Sequence, residues 1–214
     1  VPILLSGAFR SAGQKCTATS RIIVEKAAYE PLVERLQTAI SLCKVGDASD
    51  LDAYLGPVAS AAQYETVGQY VSIAQSEARL IAQSPAYAGA EHGYFIRPQI
   101  VEGVAADHAL VQEEVFGPLA VLLTADGFDE AIELCNQSVY GLSASLFTRD
   151  LASAHRFLDL AQAGMVRVNQ ETAGVEYQAP FGGMKQSSSH TREQGQAALD
   201  FYSATKTCAI KYAW

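Results

Sequence analysis

The chain has 214 residues, 49% of them hydrophobic and 18% charged, with a formal net charge of −8. That size and apolar content suit a folded chain with a substantial core and exclude a disordered one. An acidic chain with no lysine or arginine cluster argues against nucleic-acid binding and against an anionic membrane surface, and no apolar run approaches the roughly 20 residues of a membrane span. The start, Val1-Pro2-Ile3-Leu4-Leu5-Ser6, has neither an initiating Met nor a basic segment, so it reads as a chain beginning in mid-domain rather than as a signal peptide.

In chain order, Gly13-Gln14-Lys15-Cys16-Thr17-Ala18-Thr19-Ser20 sets a cysteine among small and polar residues just before the β-branched run 21–24. A helix is expected over 28–44, with Leu32, Leu36, Ala39, Ile40 and Cys43 at helical spacing. Ser60 can cap a second helix running to about Glu77, with Tyr64, Val67, Val71 and Ala74 as its stripe. Residues 78–82 read as a short buried strand, and 94–101 as a strand interrupted by Pro98, which favours an edge position or an irregularity there. Then come a Glu113-Glu114-Val115-Phe116-Gly117-Pro118 turn, an apolar strand 119–123, a helix 128–136 and a strand 142–147. A helix capped by Asp150 and running to Ala163 follows, then a strand 165–168.

Strands alternate with helices, and several are apolar on both faces. The expected fold class is therefore α/β: an open, mostly parallel sheet with helices on both faces. Residues 169–196 form a long polar, Gly- and Ser-rich loop of the kind that is usually functional. Residues 199–214 read as a helix end followed by an extended segment, and 1–198 as the main domain. An extended terminal strand of this kind can pair with another chain.

The cysteines Cys16, Cys43, Cys135 and Cys208 are widely spread, with neither C-x-x-C pairs nor His at ligand spacing. A zinc site and a disulfide framework are not expected, and a reducing, cytoplasmic setting is. Cys43 and Cys135 read as core residues. Cys16 differs, because Lys15 beside it favours the thiolate and Gly13 admits close backbone approach.

Three separated stretches then converge. Gly13-Gln14-Lys15-Cys16, Glu114-Val115-Phe116-Gly117-Pro118 and Asn169 with Pro180-Phe181-Gly182-Gly183-Met184-Lys185 occur in this order. Together they resemble the catalytic half of the aldehyde dehydrogenase superfamily over almost the whole chain. The loop from Asn169 to Pro180, with Gln186 to Gly195, is similar to that of the α-ketoglutaric semialdehyde (2,5-dioxopentanoate) dehydrogenases.

The resemblance implies that the Cys16 thiolate adds to a small-molecule aldehyde, that hydride leaves to NAD or NADP, and that the thioester is hydrolysed. It also implies that Glu114 binds the nicotinamide ribose and Phe116 packs beside the nicotinamide. Asn169 and Phe181 would shape the substrate pocket, with the backbone N–H of Cys16 holding the oxyanion. Lys185 and Arg192 are open between attracting a substrate carboxylate and lying solvated. Around Ser188, Ser189 and His190 the family more often has glycines. The family's nucleotide-binding domain, its Glu-Leu-Gly-Gly base motif and its second oxyanion donor are not in this sequence. The chain is thus expected to be a catalytic-domain fragment, inactive alone, of a homodimeric or homotetrameric parent. Two alternatives stand beside this reading: a non-enzymatic folding or assembly module with Cys16 an ordinary thiol, and a cysteine-dependent esterase.

Overall fold

A computed structural model describes residues 1–213. The elements in chain order are α1 (Pro2–Phe9), a 3-10 turn (Arg10–Gly13), β1 (Arg21–Glu25), α2 (Lys26–Ile40), α3 (Ala61–Glu77) and β2 (Arg79–Gln83). They continue with β3 (Gln99–Glu102), α4 (Ala109–Gln112), β4 (Leu119–Ala125), α5 (Phe128–Asn136) and β5 (Tyr140–Gly141). The last are β6 (Ser143–Leu146), α6 (Leu151–Leu160), β7 (Met165–Val168), β8 (Met184–Lys185) and α7 (Ala197–Phe201). A further short 3-10 turn covers Ala90–His92.

The main sheet has the order β1-β4-β3-β2. β4 is parallel to both β1 and β3, while β2 closes one edge antiparallel to β3. β6 and β7 form a separate parallel pair, and β5 and β8 an antiparallel one.

The central strand shows why the sheet needs helices on both sides. Side chains alternate along a strand, and in β4 both sets are apolar. Leu119, Val121 and Leu123 enter a core with Val101 and with Val67 and Ala74 of α3. Ala120 and Leu122 enter a second core with Ile22, Val24, Ile100, Leu36 and Ile40 of α2, and Leu5, Ala8 and Phe9 of α1. A third core, Ile132, Ala144, Phe157, Ala161 and Ala163, joins α5 and α6 to the smaller parallel pair.

Helix starts follow their caps. The Ser60 hydroxyl accepts from Gln63 N at 3.2 Å, and the Asp150 carboxylate accepts from the N–H groups of Ala152 and Ser153. Three expectations need correction. The segment 94–101 is a strand only over Gln99–Glu102, and it lies inside the sheet between β4 and β2, not at an edge. Pro98, which has no N–H to donate, sits just before it, and its carbonyl accepts from Ser84 N. The strand over 79–83 is the edge strand, with Leu80 exposed. The strand expected over 142–147 begins one residue late, behind the separate bridge strand β5. Residues 2–9, for which no element was expected, form a helix that buries Leu5, Ala8 and Phe9.

Beyond α7, residues 203–213 carry no helix or strand and lie exposed, with Ile210 and Tyr212 pointing into solvent. The expected extended segment reaches Trp214, which lies outside the described residues.

Candidate active site

The stretch before β1 is tightly turned. Ser11, Ala12 and Gly13 all take positive φ, 57°, 54° and 68°. A turn closed by Ala18 N to Lys15 O at 2.9 Å then carries Cys16 and Thr17. Cys16 is exposed at the head of this turn, while Thr17 behind it is buried. Neither Cys16 N–H nor Thr17 N–H donates to another group of the described chain.

The second wall is the turn from Val111 to Gly117. Val115 is buried in the α3-side core and anchors it. Phe116 holds φ at 53°, a strained value for a bulky residue. The Gln63 side-chain amide, from α3, donates to Val115 O at 3.3 Å and Phe116 O at 2.8 Å, fixing that conformation from behind. Gly117 and Gly13 bring the two walls into backbone contact.

The adjacent acids differ. Tyr70 Oη donates to Glu113 Oε2 at 2.6 Å, and that bond pushes the Tyr70 hydroxyl above its ordinary pKa. Glu114 makes no hydrogen bond or ion pair among the described residues, and it lines the cavity.

The cavity has a volume of about 350 Å³, and Cys16, Glu114 and Phe116 all line it. Its third wall is the end of α5 and the segment that follows, including Cys135, Tyr140 and Leu142. Here Arg21 donates to the carbonyls of Leu134 at 2.8 Å and Cys135 at 3.1 Å, and Lys185 Nζ donates to those of Asn136 and Ser138. Cations are favourable at a helix C-terminus. Burial lowers the pKa of both, and each keeps only backbone carbonyls as partners. Burial also raises the Cys135 thiol, against the pull of Arg21 and Lys185.

The other two proposed residues lie elsewhere. Asn169 holds φ at 57°, and its side chain is committed: Oδ1 accepts from Thr148 N at 3.0 Å and Nδ2 donates to Thr148 O at 2.9 Å. It bridges the end of β7 to the start of α6 and does not line the cavity. Phe181 is half-buried and pairs through its backbone with Glu193, N to O at 2.6 Å and the reverse at 2.9 Å. It too lies off the cavity lining. Arg192 packs against Gly182, and its guanidinium donates to Thr191 O. Where the family more often has glycine, Ser188 Oγ accepts from Gly183 N at 2.8 Å, a side-chain bond that glycine could not make.

Sequence reasoning missed Gln63 and Tyr70, both on α3. They are polar residues on a half-buried helix, and only the fold shows which turn they reach. No group of three or more His, Cys, Asp or Glu able to hold a metal occurs among the described residues.

Comparison with known proteins gives the chain a family. A sequence profile described as "Aldehyde dehydrogenase family" matches residues 1–208. The alpha-ketoglutaric semialdehyde dehydrogenase of Bacillus subtilis (strain 168) is 44% identical over 211 residues, covering 97% of this chain and 43% of that protein. The alpha-ketoglutarate semialdehyde dehydrogenase of Haloferax volcanii is 41% identical, covering 98% of this chain and 44% of that protein. Among solved structures, a putative aldehyde dehydrogenase from Burkholderia cenocepacia superposes with a TM-score of 0.91 at 40% identity, over 99% of this chain and 44% of the other. A betaine aldehyde dehydrogenase from Staphylococcus aureus in complex with NAD+ gives 0.88 at 32% identity, over 94% of this chain and 40% of the other. The chain thus spans less than half the length of these relatives. With the profile matched across nearly all of it, the chain belongs to the aldehyde dehydrogenase family.

Proposed function

We propose that this chain supplies the nucleophile and the nicotinamide-facing wall of an NAD(P)-dependent aldehyde dehydrogenase. The observation that carries the reading is that Cys16 and the turn bearing Glu114 and Phe116, far apart in sequence, line one cavity.

The Cys16 sulfur adds to the carbonyl carbon of the aldehyde, and the carbonyl π electrons move onto oxygen. The N–H of Cys16, which has no acceptor among the described residues, donates to that oxygen. Held against Glu114 and Phe116, a bound NAD or NADP would supply the acceptor for the hydride that the thiohemiacetal carbon loses in becoming a thioester. Water then attacks the thioester, releasing the carboxylate and restoring the thiol. Glu114 suits the cofactor because it is an ionisable acceptor with no donor among the described residues, able to take hydrogen bonds from two vicinal ribose hydroxyls. Glu113, already held by Tyr70, does not serve this role. Phe116 offers an apolar face beside it. Asn169 and Phe181 belong in this reading to the frame of the substrate loop, set by the Thr148 and Glu193 contacts.

The substrate favoured is α-ketoglutaric semialdehyde, on the strength of the two named semialdehyde dehydrogenases and the 169–195 loop. Turnover would also require the parts of the longer relatives that this chain does not match, including a general base and a cofactor domain. Homodimeric or homotetrameric assembly is supported by the exposed tail, with Ile210 and Tyr212 unburied. A cytoplasmic setting is supported by four free cysteines. No helix of the described residues is long and apolar enough to cross a membrane.

The test is NAD(P)H formation by the full-length protein with α-ketoglutaric semialdehyde and with neutral aldehydes, in wild type and Cys16→Ala. Loss of turnover in Cys16→Ala, with an acyl adduct on Cys16 by mass spectrometry in the wild type, is expected. Turnover that survives the substitution would overturn the assignment.

A further inference from the structure

Behind the cavity three distant segments meet at one point. Thr19, three residues after Cys16, places its hydroxyl 2.7 Å from that of Thr172, with the two residues 153 positions apart. Thr19 N donates to Gly7 O of α1 at 3.1 Å. A Cβ on Gly7 would come within 3.0 Å of the Thr19 hydroxyl oxygen and 3.5 Å of that of Thr172, so α1 presses its one bare position onto the pair.

The loop that presents Thr172 is fixed to an unusual degree. Five successive carbonyls each accept a side-chain hydrogen bond. Ser145 Oγ holds Gln170 O at 2.5 Å, and Ser143 Oγ holds Thr172 O at 2.9 Å. Arg167, on β7, holds the carbonyls of Glu171 at 2.9 Å, Ala173 at 2.8 Å and Gly174. A loop connecting two elements needs no such frame, because surface carbonyls are satisfied by water. Here the frame fixes one exposed consequence, the place of the Thr172 hydroxyl. From Thr19 the chain returns to Cys16 through a single turn closed by Ala18 N to Lys15 O. A shift at Thr19 is therefore passed to Cys16 with few bonds in which to dissipate.

We propose that the Thr19–Thr172 hydroxyl pair positions the Cys16 thiol, and that Arg167, Ser143 and Ser145 act through it by fixing the 170–174 loop. All are positioning residues, since none lines the cavity beside the thiol except Thr19 and Ser143, and both hydroxyls are turned to Thr172. The proposal deepens the reading of Cys16 as nucleophile and rests on it.

The chain contains its own controls for the test, which is residue-resolved iodoacetamide labelling followed by mass spectrometry. Cys208 is exposed and gives the rate of a free thiol, while buried Cys43 stays unlabelled as long as the fold is intact. Thr172→Val keeps the methyl group and removes the hydroxyl, whereas Thr172→Ser does the reverse. The Cys16 to Cys208 rate ratio is expected to fall about fivefold in Thr172→Val, the effect of one hydrogen bond of ordinary net strength, and to stay within about twofold of the unaltered chain in Thr172→Ser. An unchanged ratio in Thr172→Val, or a Thr172→Ser chain as slow as Thr172→Val, with Cys43 protected, would overturn the proposal. If Thr172→Val exposes Cys43, the Thr19→Val and Thr19→Ser chains apply the same two criteria from the other hydroxyl. A Cys16 no faster than Cys208 in the unaltered chain would count against the nucleophile reading alone, because the ratio between variants still measures the positioning.

Discussion

The backbone of Gly13 lies directly against the carbonyl oxygen of Gly117, with no room for a side-chain carbon between them, while Gly13 holds φ at +68°. The thiol-bearing turn and the Glu114 turn are thus in register at one backbone contact. Gly13→Ala must adopt a left-handed conformation, which costs about 1–2 kcal/mol for an L-residue, and must also push the two turns apart. Urea denaturation is expected to show a loss of at least that size, together with slower labelling of Cys16. A midpoint equal to that of the unaltered chain would show the turns free to separate.

The two adjacent glutamates should separate cleanly by substitution. Glu114→Gln is expected to weaken binding of the dinucleotide to the full-length protein, because a neutral amide is a poorer acceptor for paired hydroxyls. Glu113→Gln weakens one bond from Tyr70, at an expected stability cost of about 1 kcal/mol, and should leave dinucleotide affinity unchanged. Calorimetric titration with NAD and with NADP reads the first effect, and equal weakening in both variants would dissolve the distinction.

Arg21 is the half-buried fork that satisfies the carbonyls of Leu134 and Cys135 at the end of α5. Arg21→Ala leaves both without that donor beside the cavity, and a loss of about 1.5–3 kcal/mol is expected, as for hydrogen bonds from a charged group. Arg21→Lys should recover only part, since an ammonium is not a planar fork. Full recovery by lysine would reduce the contact to charge alone.

Alkaline pH should loosen the fold by a predictable route. Burial raises the thiol pKa of Cys43, and it raises that of Cys135 against Arg21 and Lys185. The folded chain then keeps these protons to higher pH than the unfolded one does, so stability is whole below the unfolded thiol pKa of about 8.5 and declines as pH rises through the folded values. The urea midpoint is expected to fall between pH 7.5 and 9.5, and to fall less in Cys43→Ala. An identical fall in that variant would assign the effect to other groups.

The layered sheet was legible because β4 is apolar at successive positions and the helices before and after it carry clear stripes and caps at Ser60 and Asp150. The order of the strands was not legible, because Pro98 signals an edge locally whereas the pairing of Gln99 with Leu119 is decided by the core. At the candidate site, the motifs pointed to Cys16, Glu114 and Phe116, which line one cavity. The commitment of Asn169 to Thr148 could not, since one asparagine at a strand end looks the same whether it faces a ligand or a neighbouring loop. Nor could the split between Glu113 and Glu114, which depends on where Tyr70 of α3 falls.

Gln63 gives the Phe116 wall a property that an ion pair would not. Its amide holds Val115 O and Phe116 O without carrying charge. An amide has no proton to lose across the working range and no field for salt to screen. The left-handed bend at Phe116 is therefore hung on a support indifferent to ionic strength and acidity, and the shape of that side of the cavity should stay constant while the groups around it titrate.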